Sequence, residues 1–161
     1  ICPSRGLGDV YKRQLLIIGS KTLSLQKSNL TNNMQFSRQY TLEFPIRSSI
    51  KVLYKRLSTP SGLSEWFAND VNIKNGVYTF YWDGSEQSAK LVTKKENKFV
   101  KYKWVDSDEA DDYFEFKIVV DDMTSDVSLL ITDFADDEED FEEAKLLWET
   151  QVDNLRGALG L

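Results

Sequence analysis

The side chains that most often do chemistry are scarce in this chain. It has no histidine, which removes the commonest general base, the usual proton shuttle and the favoured transition-metal ligand together. Its one cysteine, Cys2, cannot form an internal disulfide, in keeping with a reducing, cytoplasmic setting. No Gly-x-Ser-x-Gly elbow is present to present a nucleophile. For acid–base work there remain Glu115 and Asp133 beside strand tyrosines. Alternation puts Glu115 on an outer face. It puts Asp133 on an inner face near a strand end, where it reads as a solvated carboxylate, or else as a pocket carboxylate. The reading is a protein without catalytic residues, metal ligands or cofactor.

Charged runs supply no site either. Asp136 to Glu143 lacks the spaced Asp-x-Asp-x-Asp-Gly of a calcium loop and reads as a solvated helix start. Asp106, Asp108, Glu109, Asp111 and Asp112 read as a solvated loop. Lys90, Lys94, Lys95, Lys98, Lys101 and Lys103 form one basic stretch, read as an exposed sheet face with charged edge protection, or else as a docking surface for an acidic partner.

The aromatic residues are the better candidates. Tyr78, Phe80, Trp82, Tyr102, Trp104, Phe114 and Phe116 project toward the face that Trp148 also meets. With Leu129, Ile131, Val152 and Leu155 they are the candidate lining of an apolar pocket of about 300–1,000 Å³. Trp66 and Phe67 are placed to gate its mouth, or to anchor a short helix to the sheet. The same rings could instead fill a packed core, each burying on the order of 150–250 Å². The polar tips of Tyr78, Trp82, Tyr102 and Trp104 each need a partner when buried, and a ligand or trapped water could provide it.

The elements that must position these rings are legible from periodicity. Tyr40, Leu42 and Phe44 alternate with polar residues from Arg38 to Phe44, the period of a strand. Ile50, Leu53, Tyr54 and Leu57 share one helical face behind a serine cap. Thr59 before Pro60 predicts a second helix, from Ser61 to about Phe67. Six strands follow from Asp70, with Asn75-Gly76, Asp83-Gly84 and Asp121-Asp122 as turns, and the strand after Asp83-Gly84 is expected to begin near Ala89. Ala144, Leu147, Trp148, Val152, Leu155 and Leu159 recur at helical spacing to the end. The order β-α-α-β6-α predicts an α+β domain, a curved antiparallel sheet wrapped on a long C-terminal helix.

This order resembles the START-like superfamily, also called SRPBCC or helix-grip. The resemblance is specific at Ser58-Thr59-Pro60-Ser61-Gly62-Leu63-Ser64-Glu65-Trp66-Phe67, at Trp104, and at Trp148, Val152, Leu155 and Leu159. Within the superfamily the chain is similar to activators of the heat-shock chaperone ATPase. Leu147 stands where many relatives have glycine, and its bulk is expected to narrow the pocket. The resemblance implies a non-enzymatic domain of bacterial type binding a small apolar or amphipathic molecule, lipid included. The alternatives it leaves are a chaperone-ATPase regulator or other protein-interaction module, and an aromatase/cyclase-like enzyme. Fold alone does not choose among them.

Residues 1–33 stand apart. Ser4-Arg5-Gly6-Leu7-Gly8-Asp9-Val10-Tyr11-Lys12-Arg13-Gln14 resembles the translated transposase adapter of sequencing libraries. Residues 1–14 are therefore expected to be a non-native scar and 15–33 upstream read-through, all disordered, with the domain at 34–161. The apolar run Leu15 to Gly19 is too short for a signal sequence and for a bilayer span. The five basic residues before Met34, against one acidic, leave the rest of the chain at a net charge of −10. Such a surface repels phosphate backbones, so nucleic acid is not an expected partner.

Overall fold

The computed structural model describes residues 36–107 and 112–161. The expectations for residues 1–33 lie outside the described residues, as do those for Asp108, Glu109 and Asp111.

The elements run β1 (Gln39–Pro45), α1 (Ile50–Ser58), α2 (Pro60–Leu63), β2 (Asp70–Lys74), β3 (Val77–Trp82), β4 (Ser85–Lys95), β5 (Phe99–Trp104), β6 (Phe114–Val120), β7 (Val127–Phe134) and α3 (Glu138–Ala158). The strands form one sheet in the order β1-β7-β6-β5-β4-β3-β2, every pair antiparallel. The first strand pairs with the last, so α1 and α2 carry the chain from one edge of the sheet to the other.

Tight turns set the register. Asn75 and Gly76 both take positive φ and join β2 to β3 with Lys74 directly opposite Val77. This is the twist-matched two-residue hairpin that Asn-Gly favours. Gly84, also at positive φ, lets Trp82 pair with Ser85. The strand therefore begins at Ser85, not near Ala89, because a two-residue loop leaves nothing unpaired. Its register slips between Leu91 and Thr93, and Val92 there is exposed.

The passage Ser58 to Phe67 is shorter in helix than its sequence suggested. Thr59 serves both helices: its N–H and its hydroxyl donate to Lys55 O, and its Oγ1 accepts the Gly62 N–H. Helix α2 then stops at Leu63, and residues 64–67 are turn rather than helix. The amides of Trp66, Phe67 and Ala68 all converge on Leu63 O, which closes the chain on itself and throws both rings inward. Gly62 permits the fold-back. A Cβ there would stand 2.2 Å from Lys55 O and 2.7 Å from the Arg56 Cα, so only glycine fits.

Helix α3 covers the hollow side of the sheet. Asp137 caps it by accepting the Asp140 N–H, acids fill its first turn and Arg156 its last, as the helix dipole favours. Ala144, Trp148, Gln151, Val152 and Leu155 are its buried face. Opposite them Tyr102, Phe114, Phe116, Leu129 and Ile131 are wholly buried. No helix among the described residues is long and apolar enough to cross a membrane.

Candidate functional site

Phe67 is the hub of the aromatic core. Its ring lies 13° from the plane of Trp148 at 6.0 Å and 30° from that of Phe114 at 5.8 Å. It meets Phe80 edge-on at 4.9 Å and also touches Trp66, Trp82 and Phe116. Parallel walls with edge-on ends are arrangements that aromatic quadrupoles favour.

Most buried polar tips find protein partners, because helix α1 ends in the core with its last carbonyls pointing at them. Each of four consecutive carbonyls accepts a side-chain donor: Lys55 O from Thr59, Arg56 O from Trp66 Nε1, Leu57 O from the Tyr102 hydroxyl and Ser58 O from the Tyr78 hydroxyl. The last three are groups a helix C-terminus leaves unpaired. Burial also pushes the Tyr102 hydroxyl well above its ordinary value and that of Tyr78 upward, so both remain proton donors. Trp82 Nε1 donates to Phe67 O at 2.8 Å, and Gln151 Nε2 reaches the same carbonyl at 3.3 Å. Trp104 breaks the pattern. It is 7% exposed, and its Nε1 has no partner among the described residues; nor has Ser85 Oγ.

A buried carboxyl lies at the same end of the sheet. Asp133 is not solvated but 5% exposed. Its Oδ2 accepts from the Tyr40 hydroxyl and from Trp148 Nε1, both at 3.3 Å, and its Oδ1 from the Phe134 N–H. Burial outweighs these bonds and, helped by the charge of Asp112, pushes the carboxyl up to about 7. Asp112 is likewise buried, a correction to its reading as a solvated loop residue. Arg38 bonds it and Asp136 together at 3.3–3.5 Å. Pairing explains the burial: a charge leaves water only with a partner. Glu115 lies on the outer face, opposite Lys101 in register.

Beside the core, a groove of about 430 Å³ lies between the turn after α2 and the C-terminal half of α3. Trp66, Phe67 and Trp82 line it with Asn69, Gln151 and Asn154, and Gly157 lies along its wall. Of the fourteen candidates, then, these three aromatics border the groove, each at most 5% exposed. Phe80, Tyr102, Phe114, Phe116, Leu129, Ile131, Trp148, Val152 and Leu155 pack against one another, at most 1% exposed. Tyr78 and Trp104 are buried at the margins of that packing. Gln151 and Asn154 were not among the candidates. Gln151 could have been found: three residues after Trp148 and four before Leu155, it shares their buried face. A larger groove of about 1020 Å³ runs between the end of β1 and the β6–β7 turn, and it touches none of the aromatic candidates. Among the described residues no cluster of three His, Cys, Asp or Glu could hold a metal ion.

One antiparallel sheet gripped by one long helix, with an aromatic groove at its rim, defines the helix-grip α+β class. Residues 34–161 match the model of the START-like superfamily domain, and the chain belongs to that superfamily. A Bacteroides fragilis protein solved by NMR is 33% identical, the match covering 73% of this chain and 88% of that one with a TM-score of 0.55. The Aha1 dimer from Colwellia psychrerythraea is similar in fold at 17% identity, over 75% of this chain and 95% of that one, with a TM-score of 0.63. CalU16 from Micromonospora echinospora is similar at 15% identity over 75% of each chain, with a TM-score of 0.58. No curated protein matches the sequence.

Proposed function

We propose that this domain is a non-catalytic binding module, cytoplasmic and of bacterial type, that takes a small apolar or amphipathic molecule at the groove beside Phe67. The observation that carries the reading is the groove itself. Its volume of about 430 Å³ suits a small ligand, and three rings beside three amides and the carboxyl side chains of Glu65 and Asp153 suit one with an apolar body and a polar end that is not anionic. Support for a role without chemistry comes from Asp133, the inner carboxyl, which is engaged by two side-chain donors rather than aimed at open space. Gly157 provides the test. A Cβ at this position meets nothing within 4 Å, so Gly157→Phe fills the groove without disturbing the core. Native mass spectrometry of protein purified from cells should show a bound small molecule on the wild type and none on Gly157→Phe. A wild type that is always empty, and whose melting temperature no fatty acid or hydrophobic dye raises, ends the proposal.

A second reading is a module that docks an acidic protein segment, in the manner of a chaperone-ATPase regulator. It is favoured by the outer sheet face, where Lys90 and Lys103 stand directly opposite each other and Lys101 lies 3.7 Å above the Tyr113 ring. A face that gathers positive charge in this way attracts a negatively charged segment. Lys101→Glu with Lys103→Glu should then weaken capture of a defined partner while leaving groove binding unchanged. Equal capture by the charge-reversed protein removes this reading.

A further inference from the structure

We infer that the outer edge of β1 docks an extended segment of a partner protein, one in which basic residues alternate with apolar ones. This site lies apart from the groove beside Phe67 and does not depend on it. Its basis is the direction of the main-chain groups. Arg38 O accepts from the Ala135 N–H, and the Ile46 N–H donates to Val127 O, so the even-numbered residues from Arg38 to Ile46 bond to β7. In an antiparallel ladder the residues between them turn their N–H and C=O groups the other way. Gln39, Thr41 and Glu43, all exposed, therefore offer theirs to a further strand. Among the described residues no strand takes that place, since β1 ends the sheet.

The two edges of the sheet differ in how they are guarded. At the other edge β2 has only five residues, its Val71 N–H is taken by Asp70 Oδ1, and Lys74 ends it. In contrast, β1 runs seven residues in unbroken register with β7, without a lysine or a bulge. Short length, lysine, bulges and proline are what natural edges use against pairing. Only the last residue of β1 closes it: Pro45 has no N–H, and its carbonyl accepts from Arg156. The open stretch is Gln39 to Glu43.

The two faces of β1 state what the guest must carry. Tyr40, Leu42 and Phe44 are half-buried on the inner face, so every second side chain of an added strand meets apolar surface there. The others meet the outer face, where Glu43 lines the larger groove together with Asp121, Asp122 and Asp126. Arg47 is the one basic residue on that wall, and no ion pair among the described residues engages Glu43, Asp122 or Asp126. A lysine or arginine opposite this wall gains where a carboxylate loses. For the same reason a second copy fits poorly. Antiparallel pairing of β1 with itself about Leu42 sets the two Glu43 side chains diagonally across one face, between copies whose residues from Met34 onward carry a net charge of −10.

Fluorescence anisotropy on the full chain tests this with a short labelled peptide that alternates lysine and valine. One control is the same peptide N-methylated at its lysines, whose N–H groups face β1 when their side chains face Glu43. In the other, glutamate replaces lysine. The lysine peptide should bind at low salt about tenfold or more tightly than either control, the ratio expected of lost main-chain bonds or a reversed charge. Thr41→Pro removes an outward N–H without touching the bonds to β7 and should weaken binding by a similar factor. Glu43→Lys should weaken it too, by less as salt is raised. Should Thr41→Pro fail to fold, the N-methylated peptide carries the comparison. Equal binding of either control overturns the inference, as does no binding of the lysine peptide. A dimer of the chain that Thr41→Pro dissociates puts a second copy at the edge and overturns it as well.

Discussion

Trp148 Nε1 donates to Asp133 Oδ2 at 3.3 Å, and so ties the covering helix to the last strand of the sheet through a carboxyl that water does not reach. The same indole N–H is shared with the Tyr40 hydroxyl at 3.3 Å, which brings the first strand into the same knot. Three segments distant in sequence meet at one acid.

This acid should make stability fall as pH rises. Its carboxyl is raised to about 7 in the folded protein from 3.8, so between those values the folded state holds a proton that the unfolded chain has released. The loss across that window is on the order of 4 kcal/mol if Asp133 alone is counted. Asp133→Asn cannot ionise. Urea unfolding should show the variant more stable than wild type at about pH 8, the difference vanishing near pH 4. Parallel curves at every pH would falsify the assignment.

Trp82→Phe and Trp104→Phe make the same change at two buried indoles, yet only the first removes a hydrogen bond. Trp82→Phe also leaves less to satisfy Phe67 O. It should be the more destabilising by about 1–3 kcal/mol in denaturant unfolding. Equal losses would mean that Trp104 Nε1 is satisfied after all.

Gly62→Ala should be the most harmful single-methyl addition in the domain. The new Cβ would overlap main-chain atoms of Lys55 and Arg56, which no rotamer change can relieve. A loss of about 1–3 kcal/mol or more is expected from overpacking of this kind. A thermal melt unchanged from wild type would show that the turn has room to shift.

Gly157→Ala should act in the opposite direction. The position is helical, has no positive φ, and offers open space to a methyl group. The lower entropy cost of alanine in a helix should stabilise the domain by roughly 0.5–1 kcal/mol, read from the shift in denaturant midpoint. A drop in midpoint would show that the backbone there is not free to take a side chain.

Much of this architecture was legible in the residues. Alternation in Tyr78, Phe80 and Trp82 and again in Tyr102 and Trp104 placed the rings on one face, and Trp148, Val152 and Leu155 supplied the stripe that covers them. What periodicity could not show was how the faces meet in depth. Strand alternation says that Asp133 points inward, but its burial depends on Tyr40 and Trp148, 93 and 15 residues away. Likewise the tips of Tyr78 and Tyr102 invited a ligand until the end of α1 was seen to supply their acceptors. The rim groove eluded the sequence because it arises where α2 stops at Leu63 instead of running on to Phe67, and only the contacts around Gly62 decide that.

The capping of α1 by Tyr78 and Tyr102 of the sheet and by Trp66 of the turn fixes which parts of the domain can yield. Sliding that helix by even a fraction of a turn would strip three carbonyls, those of Arg56, Leu57 and Ser58, of their donors at once, so it serves as the stator. On the far side Phe67 O rests on two donors only, Trp82 and Gln151. The stretch from Ser64 to Asn69 is pinned near its ends as well, by Trp66 Nε1 on Arg56 O and by the Asn69 N–H on Tyr81 O, so a guest entering beside Phe67 must work between these anchors while the sheet keeps its shape.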